Sequence, residues 1–171
     1  MPRVEGYSLW LMPTGEVYNQ LNDLISELSR RYSTPYFEPH VTLLGDNLLI
    51  FPEEEMLSKT EELATLIDPF TFRLNEIGQI DSYYRALFLR GEKTPELTHV
   101  NTETRKIFGL PEDPDFMPHL SLLYGDLPVE TKQKIIREIG NVDYTFDVGT
   151  IHLYSTDGEL EDWYKVKEFS L

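Results

Sequence analysis

Two hydrophobic rhythms alternate along the chain and change over at prolines and glycines. Residues 7–12 form a short apolar run closed by Pro13, which predicts a buried strand. Behind Thr14, an N-cap residue type, Leu21, Leu24, Ile25 and Leu28 recur at helical spacing. That helix is expected to end near Arg30-Arg31, where cations suit a helix C-terminus. A proline-punctuated loop over residues 33–39 feeds a strand from His40 that stops at Gly45. Pro52 and Glu53-Glu54-Glu55 suit the start of a second helix, with Met56, Leu63, Leu66 and Ile67 as its apolar stripe and Asp68-Pro69 as its stop. Residues 70–80 and 83–89 read as an antiparallel hairpin turning at Asp81-Ser82.

The second half repeats this order. Pro95 opens a helix with Leu97, Val100, Thr104, Ile107 and Phe108 on one face and Gly109 as its C-cap. A proline- and acid-rich loop over residues 110–118 feeds a second His strand ending at Gly125, and a fourth helix runs from Pro128 to Gly140. Residues 144–154 and 163–169 read as closing strands around the turn Asp157-Gly158. The expectation is one α+β domain over residues 1–171, made of two similar lobes and without interdomain linkers.

The repeat carries a phrase. Pro39 precedes His40-Val41-Thr42-Leu43, and Pro118 precedes His119-Leu120-Ser121-Leu122, 79 residues on. Strand alternation puts each His and its hydroxyl residue on one face and the aliphatic pair on the other. Two such strands side by side would aim two imidazoles and two hydroxyls at one small anionic group. Histidine titrates near neutrality, so one ring can act as base and the other as acid, while Thr42 and Ser121 donate to phosphate oxygens. That chemistry cleaves a phosphoester with a bell-shaped pH dependence and no metal. Spacing does not say which His is the base. Tyr124, just beyond this strand, is a candidate wall of the same pocket, with an aromatic rim residue closing the core as the alternative.

Composition narrows the substrate. Thirty acidic against fifteen basic residues give a net charge of −15, a surface that repels long nucleic acids and favours a small nucleotide. With no cysteine, disulfide and thiol chemistry and cysteine-based zinc sites are excluded. No basic segment followed by an apolar run opens the chain, and no apolar stretch approaches the roughly 20 residues of a membrane span, so a cytoplasmic protein and a monomer are expected.

The paired phrase resembles the two-histidine (2H) phosphoesterase superfamily, and its context resembles the cyclic phosphodiesterase branch. The similarity extends from Ser8-Leu9-Trp10-Leu11-Met12-Pro13 through both His phrases and Leu123-Tyr124-Gly125, with fainter echoes at Tyr83-Tyr84 and from Ser155 to Trp163. The resemblance implies antiparallel sheets facing a central cleft, His strands in the middle and helices outside. It implies hydrolysis of ADP-ribose 1″,2″-cyclic phosphate and of nucleoside 2′,3′-cyclic phosphates to 2′-phosphates. It implies no cofactor, His119 as base and His40 as acid, and a substrate-facing Tyr124.

Trp10 and Tyr84 are candidates for stacking on a base, with core packing as the alternative. His99 and His152 read as solvated or structural residues, and Arg85 and Arg90, on the hairpin, as surface ion-pair partners, with contact to a second phosphate as the alternative. Two other functions fit less of the sequence. One is a cyclic phosphodiesterase acting on RNA ends, which would need a basic groove beside the His pair. The other is a non-catalytic nucleotide-binding module, which would not need both phrases intact.

Overall fold

A computed structural model describes residues 2–171, the side chain of Asp46 excepted. Eight strands of the described residues form one antiparallel sheet: β1 (Tyr7–Leu11), β2 (Val41–Leu49), β3 (Phe70–Gly78), β4 (Leu87–Gly91), β5 (His119–Leu123), β6 (Tyr144–Val148), β7 (Thr150–Ser155) and β8 (Tyr164–Ser170). Helices α1 (Gly15–Tyr32), α2 (Glu53–Leu66), α3 (Pro95–Ile107) and α4 (Val129–Ile139) complete an α+β fold.

The strand order is β6-β3-β4-β5-β2-β1-β7-β8, two four-stranded halves joined back to back. In each half the strand before a helix pairs with the His strand after it, β1 with β2 and β4 with β5. The halves meet at a register pair of the two His strands, Val41 opposite Leu120. The expected two-lobe architecture with central His strands is the observed one. The lobes interleave in sequence, however, because β7 and β8 return to the half that holds β1.

Alternation divides the side chains as the pleat requires. Leu9, Leu11, Val41, Leu43, Leu120 and Leu122 are at most 1% exposed and belong to the hydrophobic core. Burying each stabilises the fold by roughly 1.5–3 kcal/mol. Helix α1 packs on β5 and β6, α3 on β2, and α2 on β7 and β8. Helices α1 and α3 therefore cross the seam and brace the His strand of the other half.

Four local expectations are corrected. Residues 144–154 are two strands, not one: the chain breaks at Gly149, and β6 pairs with β3 while β7 lies between β1 and β8. Tyr83–Arg85 is a 3-10 turn, so β4 starts at Leu87, although the β3–β4 hairpin pairing holds. Gly45 does not end β2, which runs on to Leu49. A Cβ at Gly45 would sit 2.4 Å from Ser8 Oγ, so the glycine answers a close approach between strands. Leu66 is half exposed at the end of α2, and Ile67, already extended, takes the buried position. Among the described residues no helix is long and apolar enough to cross a membrane.

Candidate active site

The register pair Val41–Leu120 fixes the geometry of the two phrases. Carried one residue either way, an antiparallel register sets His40 across from Ser121 and Thr42 across from His119. All four line one cleft. Strand β1 adds Ser8 and Trp10, the 3-10 turn adds Tyr84 and Arg85, and Tyr124 closes the end of β5.

Each histidine is held in the same way by its own loop. His40 Nδ1 lies 2.7 Å from the carbonyl of Glu38, and His119 Nδ1 lies 3.0 Å from the carbonyl of Met117. A carbonyl only accepts, so Nδ1 carries the hydrogen in both rings and Nε2 is the atom that exchanges a proton. Both anchors are residues two positions upstream, each across a proline whose ring fixes φ.

The two rings differ in burial. His40 is 5% exposed, and its imidazole lies parallel to the Trp10 indole, ring centroids 3.7 Å apart. Desolvation pulls its pKa from the ordinary 6.5 down to about 4, opposed by the Glu38 carbonyl and reinforced by the charge of His119. His40 is therefore neutral at physiological pH. His119 is only half-buried, edge-on to Phe88.

The two hydroxyls differ as well. Thr42 makes no hydrogen bond within the described residues and faces the cleft, whereas Ser121 Oγ donates to the Tyr84 carbonyl at 2.7 Å. A serine has one hydroxyl hydrogen, so in this state Ser121 holds the 3-10 turn against β5.

Tyr124 is buried, stacked on Phe37 at 3.7 Å, with its hydroxyl 3.5 Å from His40 Nε2. Trp10 is not placed to stack on a substrate base. Its indole lies near-parallel to both His40 and Tyr154, and its N–H donates to Ser8 Oγ at 2.9 Å. At 4% exposure its faces are occupied by protein. Tyr84 is half-buried on the cleft wall, edge-on to Tyr124, with its hydroxyl donating to the Pro2 carbonyl.

Arg85 corrects the ion-pair expectation. It makes no ion pair among the described residues and lines the cleft, while Arg90 is exposed on β4. The described lining residues include no carboxylate, and Arg85 is their one lysine or arginine. An acidic protein thus keeps a carboxylate-free cleft beside its histidines.

Sequence reading missed several contributors. Ser8 was legible, because alternation along β1 puts it on the face of Trp10. Trp163, whose buried indole N–H has no partner among the described residues, reaches the cleft from the approach to β8, which pattern alone does not reveal. Glu38 accepts from Tyr18 at 2.9 Å and Tyr154 at 2.8 Å, fixing the loop that anchors His40. His99 is exposed on α3, and His152 is buried between Thr150 and Glu168. Among the described residues no group of three or more His, Asp or Glu side chains is arranged to hold a metal ion.

Comparison with known proteins agrees with this geometry. Residues 5–171 match the model of the family described as "Cyclic phosphodiesterase-like protein". The chain is 26% identical to a cyclic phosphodiesterase of Arabidopsis thaliana over 92% of its length and 90% of the relative's. Its fold is similar to that of Escherichia coli LigT solved with 3′-AMP (TM-score 0.67, 14% identity, 99% of both chains). It is also similar to that of TT0787 of Thermus thermophilus (TM-score 0.65, 19% identity, 96% and 97% of the two chains). With two loop-anchored imidazoles in one carboxylate-free cleft and a family match over nearly its full length, the chain belongs to the cyclic phosphodiesterase-like family of two-histidine phosphoesterases, and it is a phosphodiesterase.

Proposed function

We propose that the protein hydrolyses small cyclic phosphates, nucleoside 2′,3′-cyclic phosphates to 2′-phosphates and ADP-ribose 1″,2″-cyclic phosphate, by acid–base catalysis between His40 and His119. The observation that carries the reading is the matched anchoring of the two rings, each with Nδ1 bonded to a carbonyl two residues upstream in one cleft. One Nε2 takes a proton from water as its oxygen attacks phosphorus. The other gives a proton to the ribose oxygen as the opposite phosphorus–oxygen bond breaks. Thr42 donates to a non-bridging oxygen. A small nucleotide suits the acidic exterior, and the structure of the E. coli protein with 3′-AMP supports that size.

Burial favours His40 as the base. A ring that stays neutral above about pH 4 starts with its Nε2 lone pair available, and charge on His119 reinforces that state. The resemblance implies the reverse roles, and the pH dependence of kcat/KM separates them. With His40 as base, kcat/KM rises as pH passes upward through about 4. With His40 as acid, it falls there.

The test is phosphorus NMR of 2′,3′-cyclic AMP with the protein in EDTA, beside His40→Ala and His119→Ala. Ring opening to the 2′-phosphate by the wild type alone is the expected result. Activity surviving in either variant would sink the paired assignment. Binding without turnover of any cyclic phosphate would favour a nucleotide-binding module.

A further inference from the structure

Serine and threonine in the paired phrase suggest two equivalent hydroxyl donors, one from each His strand. The structure makes them unequal. Thr42 faces the cleft with no hydrogen bond within the described residues, while Ser121 Oγ donates to the Tyr84 carbonyl and Gly125 N–H donates to the Tyr83 carbonyl at 2.9 Å. The middle of β5 and the glycine just past its end thus both fix the 3-10 turn Tyr83–Arg85 beside the strand that carries His119. The residue that this turn delivers to the cleft is Arg85.

Charge gives the placement a meaning. In-line opening of a cyclic phosphate turns a monoanion into a transition state with close to two negative charges on the non-bridging oxygens. The cleft supplies one cation from the histidine pair, since one ring must start neutral. Among its described lining residues it has no carboxylate and one permanent cation, Arg85. The guanidinium is half-buried and has no ion pair among the described residues. A groove beyond shares Thr42, Arg85 and His119 with the cleft, then runs past Arg105, Asp113 and Asp115. Arg105 faces Asp113 at 3.7 Å, and the carboxylates there repel an anion. The favourable side of Arg85 is therefore the cleft side, where the reacting phosphate sits.

We infer that Arg85 is a catalytic residue that donates to the non-bridging oxygens of the reacting phosphate, beside Thr42. The inference rests on the cyclic-phosphate reading for its kinetic arm, but its binding arm does not. Arg85→Met keeps the stem and removes charge and donors. It is expected to lower kcat for 2′,3′-cyclic AMP by about 100-fold, the scale of losing one preorganised oxyanion donor. It is also expected to weaken inorganic phosphate binding, followed by calorimetry, by about tenfold, with Arg85→Lys recovering part of both. Wild-type rates and phosphate affinity, within about threefold, in Arg85→Met would overturn the inference. So would a loss confined to substrates carrying an additional phosphate, which would put the guanidinium beyond the reacting group. If the wild type does not turn over cyclic AMP, the function proposal fails separately, and phosphate binding still decides the role of Arg85. Should the methionine variant not fold, Arg85→Lys and Arg85→Gln answer the same question.

Discussion

The indole of Trp10 lies against the imidazole of His40 with 3.7 Å between ring centroids and 13° between planes. Tyr154 lies near-parallel to the same indole at 3.8 Å, and the indole N–H is tied to Ser8. His40 is thereby one end of an aromatic stack, which removes water from one of its faces. Burial, to which the stack contributes, outweighs the nearby charges in setting its protonation state.

Trp10→Leu tests that cause. Opening the stack rehydrates His40, so its pKa should rise from about 4 toward 6.5. Proton NMR titration of the imidazole reads the shift. A value unchanged in the variant would mean that desolvation comes from elsewhere. Large-to-small truncation of a buried tryptophan should also cost about 3 kcal/mol or more in urea denaturation.

Global stability should depend on pH through the same ring. Between about pH 4 and 6.5 the unfolded chain binds a proton at His40 that the folded chain refuses, so stability rises with pH across that window and falls as pH drops through it. With His40 fully buried, the shift corresponds to roughly 3 kcal/mol. Urea titrations of wild type and His40→Asn at about pH 4.5 and about pH 7, inside and above that window, should differ in slope against pH by that order. Parallel pH dependences would refute the assignment.

Glu38 acts on His40 through its backbone. Its carboxylate accepts from Tyr18 and Tyr154 while its carbonyl accepts from His40 Nδ1. Glu38→Ala should leave two partly buried hydroxyls without that partner, at about 1–3 kcal/mol each, and loosen the anchor. The expected kinetic signature is a lower kcat with an altered acid limb and a nearly unchanged KM. A KM change alone would assign Glu38 to substrate contact instead.

Gly45→Ala should disturb the site from its far side. The added methyl meets Ser8 Oγ at 2.4 Å, so either β1 shifts or the Ser8–Trp10 bond breaks. Overpacking of this kind costs about 1–3 kcal/mol. A crystal structure of the variant should show Trp10 rotated off His40. An unmoved indole with full activity would mean that the strands have slack there.

Much of the site was legible because a period of two is strict. His40 and Thr42, like His119 and Ser121, share a face by alternation, and their repetition after a proline pointed to one cleft. What was lost was lost at irregular backbone. Tyr83–Arg85 reads as strand because its aromatics suit one, yet it is a 3-10 turn closed by Arg85 N–H donating to the Ser82 carbonyl and tied to β5 by Ser121 and Gly125, and Arg85 lines the cleft. At Gly149 a clue was present: the apolar positions shift from Phe146 and Val148 to Ile151 and Leu153, a change of phase that marks the break between β6 and β7. Trp10 suits base stacking by residue type, but only the positions of His40 and Tyr154 show that its faces are taken.

The seam at Val41 and Leu120 gives the molecule a pseudo-dyad that passes between its two histidines. A catalyst of that shape treats the entering and departing oxygens of a phosphorane alike, and microscopic reversibility lets the rings exchange duties when the reaction runs backward. Direction must then come from what breaks the symmetry. Here the break is local: one ring sealed under indole and phenol, the other half open beside a lone guanidinium. On the proposed mechanism, two copies of one strand-and-helix unit become acid and base by differing in their neighbours.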